Sequence, residues 1–270
     1  MDNQTHTFQK RVKISGKIIF DSAFHIGSGR EGILATDMGV LLDERDRPIL
    51  PGSTLKGLFR TTAERLAPHL DLTACLLDSS LSGVNCITEE SYRKQQHETF
   101  KKLETEKLKL EWLSEHVCDV CTLFGSPYKG SRIYFSDGTL VTGGDSIQIR
   151  DGVCIDRDSG TARHGLKYDF EVASSETEYT TFIDLENPTV EELALVGAVI
   201  AEWELGLRVG GFTSRGLGVA RLTDVLIKSV DYSDREQLKN YLLKKEMIVA
   251  PRLLQEAINI QLSGKGAAHA

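Results

Sequence analysis

"RVKISGKIIF" (residues 11–20) is the stretch from which the architecture can be read. Val12, Ile14, Ile18 and Phe20 stand at even positions, and Arg11, Lys13, Ser15 and Lys17 at odd ones. A period of two marks a strand with one face in a core and the other open. Working outward, the turn "LPG" (50–52) leads into a helix. Ser53 is its expected N-cap, and Leu55, Leu58, Phe59, Thr62 and Leu66 recur at helical spacing. Lys56, Arg60 and Arg65 then fall towards the other side. "RIYF" (132–135) and "YTTFIDL" (179–185) read as strands rich in β-branched and aromatic residues. "TVEELALVGAVIAEWELGL" (189–207) reads as a long apolar helix stopped by glycine, and "LGVARLTDVLIKSV" (217–230) as a closing strand.

The order is β, α, β, β, α, β, which is the α+β, ferredoxin-like order shared by RNA-recognition-type domains. Two insertions interrupt it, from about Asp71 to Lys129 and from about Asp137 to Ala173, and the tail from Ser233 reads as one or two helices. With 270 residues, one core bearing sizeable insertions is the economical expectation. The composition, 40% hydrophobic and 26% charged, is that of an ordinary folded protein. The opening "MDNQTHTFQK" lacks the apolar segment of a signal peptide, and no run is long enough to span a membrane, so a cytoplasmic location is expected. The formal net charge is −7, yet the acidic residues concentrate in two helical stretches. The glycine-bearing stretches carry Lys56, Arg60, Arg208, Arg215 and Arg221. A local basic groove is compatible with that distribution. "SRIYFSDG" does not match the aromatic pattern that stacks bases on the sheet of RNA-recognition domains, so RNA is expected elsewhere.

"VGGFTSRGLGVAR" (209–221) puts Gly210, Gly211, Gly216 and Gly218 between the second long helix and the last strand. Glycines there allow positive φ and let the backbone approach a ligand. They would equally serve a helix stop joined to a tight turn. "PGSTLKGLFR" (51–60) is a second such element, whose helix N-terminus offers backbone N–H groups to an anion, with Lys56 and Arg60 following on one face. In the first insertion "CDVC" brings Cys118 and Cys121 together, and Cys75 and Cys86 lie upstream. Four thiolates can close a tetrahedral structural zinc site. The alternatives are a redox pair, plain burial, or His97 or His116 replacing one cysteine. Zinc is favoured because a charged helical insertion has little core of its own.

Taken in order, "FHIGSG", "ILPGSTLKGLFR", "CDVCTLFGS", "DRDSGTARHGLKYDFEVASSETEYTTFIDL" and "GGFTSRGLGVARL" resemble the backbone RAMP subunits of type III CRISPR effector complexes. The likeness runs from about Val12 to Ile227. It implies a palm (10–70, 130–143 and 174–232), a zinc-bearing finger (71–129), a thumb hairpin (144–173) and a helical tail (233–270). It also implies a filament along CRISPR guide RNA, with target RNA and like or related backbone subunits as partners. Gly210, Gly211, Arg215 and Gly216 would grip the guide backbone. Ser53, Lys56, Arg60 and His25 would contribute. Such contacts position RNA without reading its sequence. Active members cut target RNA from an aspartate in the loop after the first strand, which here best matches Asp37, with Asp43 and Asp46 as weaker matches. The chemistry implied is attack of a ribose 2′-OH on the adjacent phosphate with Mg or Mn. One departure is that Leu34, Ala35 and Thr36 stand where family loops often carry glycines. A non-cleaving backbone subunit, or a stand-alone CRISPR RNA-processing endonuclease using His25 as acid or base, are the other readings.

Overall fold

The structure is a computed structural model and describes residues 7–32, 34, 36–75 and 84–263. Ala35, residues 76–83 of the first insertion and residues 264–270 of the tail therefore lie outside the described residues. In chain order the elements are β1 (Lys10–Phe20), α1 (Gly52–Leu66), α2 (Glu90–Lys101), α3 (Glu106–His116), α4 (Asp119–Phe124), β2 (Ile133–Phe135), β3 (Thr139–Thr142), β4 (Ile147–Ile155), β5 (Ala162–Ala173), β6 (Glu178–Glu186), α5 (Val190–Leu205), β7 (Leu207–Arg208), β8 (Val219–Asp231), α6 (Arg235–Lys244), β9 (Ile248–Val249) and α7 (Leu253–Ser263).

β1 sits at the centre of an antiparallel sheet ordered β2-β6-β1-β8-β7, with β3 also on β6 and β9 also on β8. This α+β arrangement is consistent with a ferredoxin-like fold: the strands before and after the two long helices interleave. Val12, Ile14, Ile18 and Phe20 are buried as the alternation requires, and α1 and α5 cover that face. Phe59 of α1 meets Trp203 of α5 edge-on, with ring centroids 5.0 Å apart. Gly16 takes the core-facing position between Ile14 and Ile18 because a Cβ there would meet Leu222 Cδ1 at 2.8 Å. The start of α5 is closed by a reciprocal cap: Glu192 N–H donates to Thr189 Oγ1, and Glu192 Oε2 accepts from Thr189 N–H. α7 lies along α5, where Gly197 admits Leu254 and Ile258.

Two expectations about local structure are corrected. The N-cap of α1 is Pro51, not Ser53, which sits inside the first turn. The side chain closing this end comes instead from the turn between β2 and β3, where Asp137 Oδ1 accepts from Gly52 N–H at 2.6 Å. The second insertion also begins later than Asp137, because 139–142 returns to the sheet as β3. What projects is the separate β4–β5 hairpin. Its root is anchored by Phe170, Val172 and Ala173, which are buried, and by a bridge from Phe24 to Ala173. Its outer half exposes Ile155 and Leu166.

Candidate functional site

The chain leaving β1 turns at Asp21 and runs past the root of β5. His25 is held there twice. Its carbonyl accepts from Gly211 N–H at 2.7 Å, and its Nδ1 lies 2.7 Å from the Glu171 carbonyl. A carbonyl can only accept, so Nδ1 is the donor in that bond. The next turn brings Asp37 alongside β5: Asp37 N–H donates to Asp169 Oδ1 at 2.8 Å, and Asp169 N–H donates to Asp37 Oδ2 at 3.1 Å. His25 and Asp37 thereby line one cleft of about 360 Å³, together with Gly29, Arg30 and Gly39.

Asp43 and Asp46 are elsewhere in chemistry as well as in space. Asp43 closes its own turn, accepting from the backbone of Arg45 and Arg47 and pairing with the Arg47 guanidinium at 2.7 Å. The Arg47 side-chain bond, helped by its backbone N–H, holds the Asp43 carboxyl down at about 2. Asp46 has a φ of 56° and serves the same turn. Of the three aspartates, the cleft takes Asp37.

The loop that presents Asp37 is organised by Glu171, a residue the sequence reading did not single out. Its side chain is wholly buried; Oε1 accepts from Leu34 N–H at 2.9 Å and Oε2 from Val40 N–H at 3.1 Å. Glu171→Ala is expected to lower the unfolding free energy by about 2 kcal/mol, since the buried Val40 N–H and the part-buried Leu34 N–H lose their acceptor. Denaturant unfolding checks this, and a change within about 0.5 kcal/mol would mean the loop finds other acceptors.

The glycine loop needs its glycines for a different reason from the one expected. At Gly210, φ is +89° and a Cβ would lie 2.3 Å from the His25 carbonyl oxygen; at Gly218, φ is +68° and a Cβ would lie 2.0 Å from Val209 O. The close approach is to the chain itself, which locks the loop onto the His25 segment. Gly216 alone of the four has open space where a Cβ would stand. Arg215 is exposed but aimed: its guanidinium lies 4.4 Å from the Phe212 ring centroid, and Nη1 donates to the Tyr168 hydroxyl at 2.5 Å. Phe212 and Phe170 sit 4.3 Å apart at the hairpin root. Arg221 is occupied by an ion pair with Asp21.

The 51–60 element, expected from the sequence to meet an anion, is not part of this cleft. Ser53 and Lys56 belong to the end of α1 beside β2 and β3, whereas the glycine loop joins β7 to β8 across the sheet. Lys56 Nζ donates to Ser131 Oγ at 2.9 Å, and burial pushes its pKa down. Arg60 has been drawn inward: it pairs with Glu64 at 2.8 Å, and its Nη2 lies 3.1 Å from Cys121 Sγ.

Cys75, Cys86, Cys118 and Cys121 are all buried, with sulfurs within 4.8 Å of one another. Sulfurs around a tetrahedral zinc stand about 3.8 Å apart, given Zn–S bonds of about 2.3 Å. The cysteines are free thiols, and the Cys75 and Cys121 sulfurs, 3.5 Å apart, are far too distant for a disulfide. Mutual hydrogen bonding pulls the pKa values of the four thiols apart, with Cys86 and Cys121 drawn down, chiefly by Cys118, and Cys75 and Cys118 pushed up, chiefly by Cys118 and Cys121 respectively. The donor set fits a metal such as zinc. Cys154 is exposed on β4, away from it, and neither His97 nor His116 joins the group. His116 instead stacks on Trp112 and bonds its carbonyl. Among the described residues this is the one group of three or more His, Cys, Asp or Glu side chains whose ligand atoms lie close enough together to hold an ion.

An antiparallel ferredoxin-like sheet, a loop–cleft–hairpin surface at one end and a cysteine-bearing insertion define the class of α+β protein, although a fold alone does not give a function. The model of the RAMP superfamily matches residues 17–221, and the chain belongs to that superfamily. It is accordingly a CRISPR-associated RNA-binding module, in a family whose proteins act with RNA and other subunits and include RNA-cleaving members. Comparison with curated proteins finds no match. Among the described residues no helix is long and apolar enough to cross a membrane.

Proposed function

We propose that the chain is a backbone subunit of a type III CRISPR effector complex, which holds guide RNA and cuts complementary target RNA. The observation that carries this reading is the shared cleft of His25 and Asp37, set between the glycine loop and the root of a projecting hairpin. The glycine loop and Arg215 would take the guide backbone. Ser53 and Lys56 would meet it, if at all, at a separate point near β2, and Arg60 is better placed to neutralise the thiolates. The hairpin has a polar turn at 156–161 but exposes Ile155 and Leu166 on its strands, and these apolar side chains would be the ones to part stacked bases.

In the cleavage step a target 2′-oxygen attacks the adjacent phosphorus and the bond to the 5′-oxygen breaks, leaving a 2′,3′-cyclic phosphate. The 2′-hydroxyl gives up its proton and the leaving oxygen gains one. Asp37 Oδ1, which has no protein partner among the described residues, would orient that hydroxyl. A Mg or Mn ion held at Asp37 would take its other ligands from RNA and water. Zinc at the four cysteines would be structural.

The test is an assembled complex given labelled complementary RNA, with Mg, with Mn and with chelator, the bound and cut fractions being read separately. Cleavage confined to complementary RNA supports the reading. Binding without cleavage under every condition would leave a non-catalytic backbone subunit. Cutting of free precursor RNA by the isolated chain without metal would indicate processing by His25.

Arg215→Ala is expected to weaken guide RNA binding by about ten-fold without sequence preference, and to make log K against log salt shallower by about 0.7, one phosphate contact on a single strand. Fluorescence anisotropy over a salt series measures both. Unchanged affinity and slope would remove the glycine loop from the RNA path.

A further inference from the structure

The open face of the sheet, opposite α1 and α5, carries a cleft of about 580 Å³ that the proposed guide site does not use. α6 and the segment after it wall one side of this cleft. Four cations, Arg11, Lys13, Lys228 and Lys245, face two carboxylates, Asp184 and Glu246. Lys13 and Lys228 stand directly opposite each other across β1 and β8. Like charges in that position weaken a strand pair. Here the arrangement occurs in a chain of net charge −7, so no general excess of lysine explains it. Sequences break local rules chiefly where function requires it.

The neighbouring acids do not relieve the pair. Asp184 is opposite Lys13 on β6, but it is engaged by Arg11 at 3.5 Å. Lys13 Nζ instead rests 4.6 Å from the Phe182 ring centroid, and among the described residues neither Lys13 nor Lys228 makes an ion pair. Tyr241 Oη, 3.5 Å from Arg11 Nη1, ties α6 to the same face. Two adjacent ammonium groups on the open face of the sheet, with Asp184 engaged by Arg11, suit a chain of phosphates.

We propose that this face binds single-stranded RNA through its phosphates, with Lys13 and Lys228 as the contacts, as a second segment separate from the glycine loop. The inference rests on the RNA-binding character of the family. The shape of the face agrees with what the sequence lacks: without the aromatic motif for stacking bases, it holds the backbone by charge and is indifferent to sequence.

The experiment uses the full chain and a fluorescein-labelled single-stranded RNA, with affinity measured over a salt series for the wild type, Lys13→Gln with Lys228→Gln, and Arg215→Ala. The double variant is expected to bind about ten-fold more weakly, with a salt slope shallower by about 1.4, two contacts of about 0.7 each. Its thermal midpoint should equal or exceed that of the wild type, because a like-charge pair has been removed. A double variant that binds as the wild type, while Arg215→Ala is weakened, overturns the sheet-face site and leaves the glycine-loop reading standing. Competition by free mononucleotide as strong per site as by RNA overturns it in favour of a small-ligand pocket. No RNA binding by the wild type overturns both readings.

Discussion

Asp37→Ala is expected to reduce target cleavage by at least about a hundred-fold while target binding and assembly stay within about two-fold of the wild type. Among the described residues the side chain makes one hydrogen bond, from Asp169 N–H, and it is exposed at the mouth of the cleft, so its removal should leave the fold nearly untouched. A carboxylate adds nothing to holding a polyanion, and its worth lies in the transition state. Loss of a group that orients a nucleophile or takes its proton typically costs about 10²–10⁴ in rate. Asp43→Ala is the matched control: it loses the Arg47 pair in an exposed turn and should cut normally. Asp37→Asn keeps the acceptor for Asp169 N–H but lacks the charge, so it separates chemistry from loop geometry. Full cleavage by Asp37→Ala would remove this residue from the reaction, and a parallel loss of binding would make it a structural turn residue.

Cys118→Ser with Cys121→Ser is expected to abolish metal retention and to destabilise the chain by more than about 4 kcal/mol, the range reached when a structural metal is lost. Elemental analysis of the wild type should find one zinc per chain, and of the variant almost none. The cluster joins the start of the first insertion to α4, and Arg60 of α1 and Thr88 both reach Cys121 Sγ. The palm-facing helix is therefore coupled to the metal, and its loss should be felt beyond the insertion. Cys154→Ser, on the exposed β4, should change neither zinc content nor stability. Zinc retained by the double variant, or absent from folded wild-type protein, would eliminate the site.

Elements whose pattern is local were legible in advance. β1 alternates because each side chain sees only core or solvent, and α5 carries its stop in Gly206 and its capping box in Thr189 and Glu192. The four cysteines were legible because metal ligation needs few residues of one type, and Cys118-x-x-Cys121 alone supplies half of them. The helical phase of α1 misled, because it puts Arg60 on the polar side, yet the insertion folds back over that side and supplies Cys121 and Gly125 as partners. The cap of α1 was out of reach for the same reason, as Asp137 comes from 85 residues away.

At the cleft the division is sharper. The sequence by itself determined the strand and helix order, the cysteine set and the presence of an aspartate loop and a glycine loop, since each is carried by neighbours in the chain. Only the tertiary structure decided that Asp37 rather than Asp43 reaches the cleft, that Glu171 pins its loop, and that Gly210 and Gly218 serve close packing on His25 and Val209. The first two outcomes depend on β5 returning beside the loop after β1, more than 130 residues later. Hydrogen bonds of that span leave no periodicity or spacing in the sequence, because the groups they join meet only when the sheet has formed.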